Sequence, residues 1–202
     1  MNFLAHLHLA DPEPGLMLGG IVADFARPPE LATLPPEVQD GVRLHRLIDG
    51  FTDSHPIVRG SVARIAAEYH WFSGIIIDIY YDHILARDWS SYSPERLESF
   101  AARAYATLEQ ILPYAPDEAA GFIRSFVEDN RLVRYATAEG IEDTLARVSR
   151  RIARRIPKNA VRLELAMPGL IAKDARLTAD FHAFYAELMA FAARSRRDLA
   201  GL

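Results

Sequence analysis

The chain has 202 residues, half of them hydrophobic, no cysteine and a formal net charge of −4. This length suits one domain that buries a full core without disulfides. The lack of cysteine excludes thiolate-bound zinc, iron–sulfur clusters and cysteine nucleophiles, and the negative charge argues against nucleic acid as a general partner.

The pattern of apolar residues is helical along nearly the whole chain. We predict helices over 2–10, 15–27, 36–54, 57–69, 73–90, 94–112, 117–137, 140–156, 160–172 and 174–199. Pro35-Pro36 suits a helix start, and His55-Pro56 should interrupt the chain, because a residue before proline avoids the helical region. No strand-like alternation runs longer than that of residues 6–9. The expected fold class is all-α.

The N-terminal sequence lacks a basic region of the kind that opens a secretion signal. No apolar stretch reaches the ~18 residues that a membrane-spanning helix needs. We therefore expect no membrane partner and a cytoplasmic location, while the sequence leaves the oligomeric state undetermined.

The dipeptide Asp82-His83 lies in an apolar run, with Asp78 one helical turn earlier. Charged groups on an apolar helix face are costly to bury unless a metal ion or a hydrogen-bonded cluster compensates them. Six of the seven histidines precede residue 84. Further candidate partners lie upstream: His6, His8, Asp24, His45, Asp49 and Asp53. This distribution predicts a metal centre with hydrolytic chemistry, built by the N-terminal half.

Helical geometry places pairs of these groups together. Asp78 and Asp82 fall on one helix face, and His45 and Asp49, four residues apart, stack on another. Two helices can therefore present facing carboxylate and imidazole groups, as metal-binding helical bundles do.

Several of these groups also have a structural interpretation. Asp78 would pair with an arginine, Asp53 would end its helix, and His8 would be a buried, hydrogen-bonded histidine. His55, His70 and His182 would contribute packing or surface contacts.

Five segments carry a resemblance to a known family. They are MNFLAHLHLA at the start, GGIVADF ending at Phe25, HRLIDGFTD from His45, DIYYDHILARDW from Asp78, and RLVRY from Arg131. In order and spacing, over most of the first 135 residues, they resemble the acyl carrier protein phosphodiesterase family, also called acyl carrier protein hydrolase. The resemblance implies an all-helical, atypical member of the HD-type metal-dependent phosphohydrolases: a single helical hydrolase domain over 1–202, with a helical elaboration.

The implied reaction hydrolyses the phosphodiester that joins 4′-phosphopantetheine to a serine of holo-acyl carrier protein. The implied cofactor is manganese, with magnesium or iron(II) as alternatives, since oxygen and imidazole donors suit these ions. Resemblance and ligand chemistry together give His6, Asp24, Asp82 and His83 as the leading ligands. The chain departs from the usual superfamily signature, because Asp82 precedes His83 where the signature has histidine first.

Three further residues are expected to act in the reaction. His45 and Asp49 would be additional ligands, or would orient the attacking water and take its proton. Arg46, the nearest guanidinium to this segment, would bind a phosphate oxygen.

The sequence of residues 140–160 predicts a basic helix. Only two of the 23 basic residues are lysines, and arginines recur here at helical spacing: Arg147, Arg151, Arg154 and Arg155. Such a positive face would steer an acidic partner, and the resemblance implies acyl carrier protein as that partner. The alternative is a solvated basic helix with no partner.

Three other functions are open to this sequence. A nucleotide or small phosphoester hydrolase would use the same metal site without a protein partner. A non-catalytic helical regulator would bind no ion. A di-iron carboxylate bundle would need Glu-x-x-His pairs, and the sequence has none.

Overall fold

The computed structural model describes residues 1–155 and 161–201, and within these ranges it contains helices and no strand. The α-helices, in chain order, are α1 (Phe3–Ala10), α2 (Pro14–Val22), α3 (Pro28–Leu31), α4 (Pro36–Ser54), α5 (Pro56–Ala63), α6 (Ala66–Tyr69), α7 (Ser73–Arg87), α8 (Leu97–Ile111), α9 (Asp117–Glu128), α10 (Arg131–Arg134), α11 (Ala138–Arg155), α12 (Met167–Ala172) and α13 (Asp174–Leu199). Short 3-10 turns cover His70–Phe72, Trp89–Ser91, Leu112–Tyr114 and Leu163–Ala166. The all-α prediction is confirmed; the HD-type assignment stays a prediction.

Prolines begin several of the helices. Pro14, Pro28, Pro36 and Pro56 each occupy the first helical position, where a missing N–H costs nothing because it would have no partner in the helix. The predicted helices 36–54 and 174–199 have the observed bounds.

Other predicted helices are divided or end elsewhere. The helix expected over 117–137 is two helices, because Asn130 adopts a left-handed conformation with φ of 46°, which asparagine tolerates better than most residues. The helix expected over 57–69 breaks after Ala63, and the one expected over 15–27 ends at Val22. Residue 156, the predicted end of the basic helix, lies outside the described residues.

Helix α7 lies in the middle of the core, where it packs against α1, α5, α11 and α13. Its side chains are buried around most of its circumference, including Ile77, Tyr81 and Ile84, each fully buried. A helix that is apolar on all sides is a core helix. The carboxylate of Asp82, at the same level, is therefore also removed from water.

Helices α2 and α4 form the most closely packed helix pair. Glycines allow this approach: a Cβ added to Gly41 would lie 2.7 Å from the Cα of Leu16, and one added to Gly19 would lie 2.5 Å from the Cα of Gly41. Any side chain at these positions would push the two helices apart. The close contact at Gly41 sets the distance between α4 and α2.

Among the described residues, no helix combines the length and the apolar character that crossing a bilayer requires.

Candidate metal centre

Helices α1 and α4 bring three side chains together in a small cluster. His6 Nε2 lies 3.2 Å from one carboxylate oxygen of Asp49, and His45 Nε2 lies 3.0 Å from the other. The two imidazole rings stack with centroids 4.0 Å apart. One ligand atom from each residue falls within 4.8 Å of the other two, so the three residues could hold a metal ion. We call His6, His45 and Asp49 the metal-binding cluster.

The tautomer of His45 is fixed by the backbone of α2. Its Nδ1 lies 2.9 Å from the carbonyl oxygen of Gly20. Because a carbonyl only accepts, Nδ1 carries a proton, so Nε2 is the nitrogen that can give up its own proton and offer a lone pair to a cation. A histidine that ligates a metal is held by the same kind of contact through its other nitrogen.

His6 is buried and lacks a compensating contact. Neither ring nitrogen has a hydrogen-bond partner among the described residues, despite the short distance to Asp49. Burial lowers the pKa of His6 to about 4, and the neighbouring His45 acts in the same direction. The ring is therefore neutral at neutral pH, and a bound cation would satisfy its lone pair.

Asp49 is a permanent anion. Burial alone would raise its pKa, but the imidazoles of His45 and His6 beside it outweigh burial and hold the pKa well below the usual range. Conversely, burial lowers the pKa of His45, yet Asp49 and Asp24 together raise it above its ordinary value. A cation entering the cluster would take over the role of the proton on His45.

Asp24 lies at the edge of the cluster, just after α2. Its Oδ1 is 3.6 Å from His45 Nε2, and its side chain is 45% exposed. Partial desolvation raises the pKa of Asp24. Its backbone carbonyl accepts a hydrogen bond from Arg151 at 3.2 Å, which fixes the loop. Asp24 is thus the most accessible carboxylate at the cluster.

The amino group of Met1 lies on the other side of Asp49, and it is 3.3 Å from Asp49 Oδ1 and 3.3 Å from Asp78 Oδ1. Burial lowers the pKa of this amino group, but the three carboxylates around it, Asp78 first, raise it to about 10. Asp78 therefore pairs with an ammonium group and not with an arginine.

The structure does not bring Asp82 and His83 to the cluster. The oxygens of Asp82 lie 2.7 Å and 3.2 Å from the backbone nitrogens of Leu4 and Ala5, which donate to them. Burial raises the pKa of Asp82 to about 7, against the effect of these hydrogen bonds. His83 Nδ1 donates to the carbonyl of Tyr135 at 2.7 Å. The sequence did not indicate that this buried carboxylate accepts hydrogen bonds from backbone N–H groups of another helix.

Three of the four remaining histidines have side-chain partners, and the fourth, His70, is exposed. His8 contacts the Tyr185 hydroxyl at 2.8 Å, His55 lies 3.3 Å from Glu187, and His182 lies 3.0 Å from Asp88. Arg46 is exposed and makes no ion pair within the described part of the chain. The Gly20 carbonyl, which orients His45, was not predicted; no feature of a glycine in sequence marks such a contact.

The arginines of α11 have different surroundings. Arg147 pairs with Asp143 at 2.8 Å and Asp129 at 2.9 Å, and Arg151 stacks on Phe25. Arg154 is exposed. The side chain of Arg155 and residues 156–160 of the predicted basic helix lie outside the described residues. Among the arginines of the predicted stripe whose side chains the structure describes, Arg154 is therefore the exposed one.

Fold and cluster together define an all-helical protein with a histidine–aspartate group that could hold a metal ion. The model of the acyl carrier protein phosphodiesterase family matches residues 1–188, and the chain belongs to this family.

Named relatives agree with this assignment. The chain is 37% identical over 155 residues to an acyl carrier protein phosphodiesterase of Yersinia pestis, an alignment that covers 75% of this chain and 79% of the relative. It is 34% identical over 195 residues to the protein of the same name from Escherichia coli O157:H7, covering 96% of this chain and 98% of the relative. No solved structure matches the chain significantly.

Proposed function

We propose that this protein hydrolyses the phosphodiester of holo-acyl carrier protein, releasing 4′-phosphopantetheine and apo-acyl carrier protein. The observation that carries the proposal is the cluster of His6, His45 and Asp49 in a chain that belongs to this family. Acyl carrier protein is then the partner as well as the substrate.

The cofactor we propose is a divalent cation, manganese first, with magnesium or iron(II) as alternatives. Two imidazoles and a carboxylate without any thiolate suit these ions. The fit rests on the orphaned nitrogens of His6 and on the fixed tautomer of His45. When bound, such an ion supplies charge neutralisation at the phosphodiester oxygens and a lower pKa for water.

We assign the ligand role to His6, His45 and Asp49, and a proton-transfer role to Asp24. Both carboxylate oxygens of Asp49 already face imidazole nitrogens of the cluster, at 3.2 Å and 3.0 Å, so Asp49 is assigned to the ion and not to the water. Asp24 is accessible, and its pKa is raised. Its carboxylate can orient the attacking water and accept its proton, while Arg46, exposed beside His45, is available to a phosphate oxygen.

The deciding experiment is incubation of the purified, manganese-loaded protein with holo-acyl carrier protein, followed by intact mass measurement. Loss of the phosphopantetheine mass is expected, and chelation should abolish it. An unchanged holo-protein mass beside rapid hydrolysis of mononucleotides would make the chain a nucleotide hydrolase. Full activity in excess chelator, with an empty protein shown by metal analysis, would contradict the metal-dependent mechanism.

Two variants separate the proposed roles. Asp24→Asn should reduce turnover by about 100-fold or more, the range of general base catalysis, while manganese affinity by calorimetry changes little. His45→Ala should lose manganese binding. If Asp24→Asn also loses manganese, Asp24 is a ligand, as the sequence alone predicts, and the proton-transfer assignment fails.

A further inference from the structure

A groove of about 400 Å³ is lined by the start of α1, the loop after α2, and helices α9, α10 and α11. Three partly buried aromatic rings contribute to its lining. The ring centroids of Phe25 and Phe122 are 4.6 Å apart, and those of Phe3 and Phe122 are 4.7 Å apart. The groove therefore presents aromatic surface that is partly exposed to solvent.

Asp24 and Phe25 connect this groove to the cluster. Asp24 lies 3.6 Å from His45, and the next residue, Phe25, lines the groove. Arg151, also part of the lining, donates to the Asp24 carbonyl and stacks its guanidinium 4.4 Å from the Phe25 ring centroid. A molecule with one end at the cluster can thus extend past Asp24 into the groove.

We propose that this groove binds the pantetheine arm of the substrate, and the inference rests on the function proposed above. The arm is a flexible, uncharged chain that alternates hydrocarbon segments with amides. Aromatic rings suit the hydrocarbon, and the polar groups of Asn2, Tyr135 and Thr144 in the lining suit the amides. The volume lies within the ~300–1,000 Å³ typical of small-molecule sites. Binding the arm would hold the phosphodiester at Asp24 and the cluster.

Two other assignments fit less well. A larger cavity, about 930 Å³, is lined by residues such as Leu16, Val38 and Ile111, and its lining includes no chain neighbour of Asp24 or of the metal-binding cluster. The carrier protein itself would need an interface of roughly 800 Å² per partner, far broader than a groove of this volume. The exposed Arg150 and Arg154, which also line the groove, remain accessible to the protein part of the substrate.

The test fills the groove without touching the cluster. In Thr144→Trp, the indole would occupy the space of the arm; Arg150→Trp, at an exposed position, does the same with less risk to folding. Glu142→Trp, exposed on the same helix and outside the groove lining, is the matched control. Calorimetry measures binding of pantetheine, which lacks the phosphate. Intact mass kinetics measure cleavage of holo-carrier protein, and a chromogenic aryl phosphodiester reports on the cluster alone.

We expect both groove variants to lower pantetheine affinity and the kcat/KM for holo-carrier protein by at least about tenfold. Hydrolysis of the aryl diester and all properties of Glu142→Trp should stay near wild type. Unchanged pantetheine binding in folded groove variants would overturn the proposal. So would a Thr144→Trp variant, which removes no charge, that binds apo-carrier protein and holo-carrier protein with equal weakening, since apo-carrier protein has no arm. If wild-type protein binds pantetheine in the groove but does not cleave holo-carrier protein, the proposed function fails and the groove assignment survives.

Discussion

The carboxylate of Asp82 holds the first turn of the helix that carries His6, because its Oδ2 accepts the backbone N–H of Leu4 at 2.7 Å. The first N–H groups of any helix lack partners within it. Here a fully buried carboxylate from α7 supplies the acceptors that a capping side chain would otherwise provide. The anchor fixes α1, and with it the position of His6 in the cluster.

Replacement of Asp82 should therefore destabilise the fold. Asp82→Ala would leave two buried backbone donors without acceptors, and each costs roughly 1–3 kcal/mol. We expect the free energy of unfolding, measured by urea denaturation, to fall by at least about 2 kcal/mol. Asp82→Asn keeps one acceptor oxygen and should lose less. A stable Asp82→Ala protein that has lost manganese binding would instead support the ligand role that the sequence suggests.

The glycine contact between α2 and α4 leads to a second prediction. Gly41→Ala forces the helices apart, and overpacking of this kind costs about 1–3 kcal/mol. The same displacement moves His45 away from the Gly20 carbonyl, so manganese affinity should fall too. Gly50→Ala is the control on the same helix, since a Cβ there meets nothing within 4 Å. It should stabilise the protein slightly; equal effects of the two substitutions would contradict the contact argument.

A third prediction concerns the surface of α11 that we expect to face the carrier protein. Arg147 and Arg151 have structural contacts, so the test uses Arg150 and Arg154. The double charge reversal Arg150→Glu, Arg154→Glu should raise the KM for holo-carrier protein about tenfold, equivalent to about 1.4 kcal/mol. The difference should shrink as salt rises. The control Arg194→Glu with Arg197→Glu on α13 gives the same change in net charge and should have little effect on the KM. A similar KM increase in this control would mean that overall charge, and not the α11 surface, causes the effect.

Acidification should destabilise the metal-free protein through His8. Burial lowers the pKa of His8 to about 4 from its ordinary 6.5, so between these values the unfolded chain binds more protons than the folded one. The contribution of neutral His8 to the free energy of unfolding is fully present above pH 6.5. It decreases as the pH falls toward 4, by up to about 1.4 kcal/mol per pH unit for one group. His8→Gln removes this contribution. Urea unfolding in chelator at pH 7, 6 and 5 should therefore show a weaker pH dependence in the variant; an unchanged slope would contradict the assignment.

Periodicity and proline positions were enough to predict the fold class and the bounds of α4 and α13, because both depend on local sequence. The pairing of His45 with Asp49 was also predictable, since one helix carries both at adjacent turns. The division at Asn130 and the contacts of Asp82 were not. An asparagine within a helical pattern does not show which backbone conformation it adopts. The contacts of Asp82 depend on where another helix lies, and the sequence does not distinguish a buried aspartate that faces a cation from one that faces two backbone amides.

The contact between Asp82 and Leu4 also affects the stage of synthesis at which the protein becomes able to bind the metal ion. All three members of the metal-binding cluster are translated within α1 and α4, but 78 residues separate Leu4 from the carboxylate that holds it. Since chains emerge from the ribosome N-terminus first, a nascent chain contains every donor well before α7 can fix the first helix. Competence to bind the ion should thus arise late, as a step in maturation that a stalled chain ending before Asp82 would not reach.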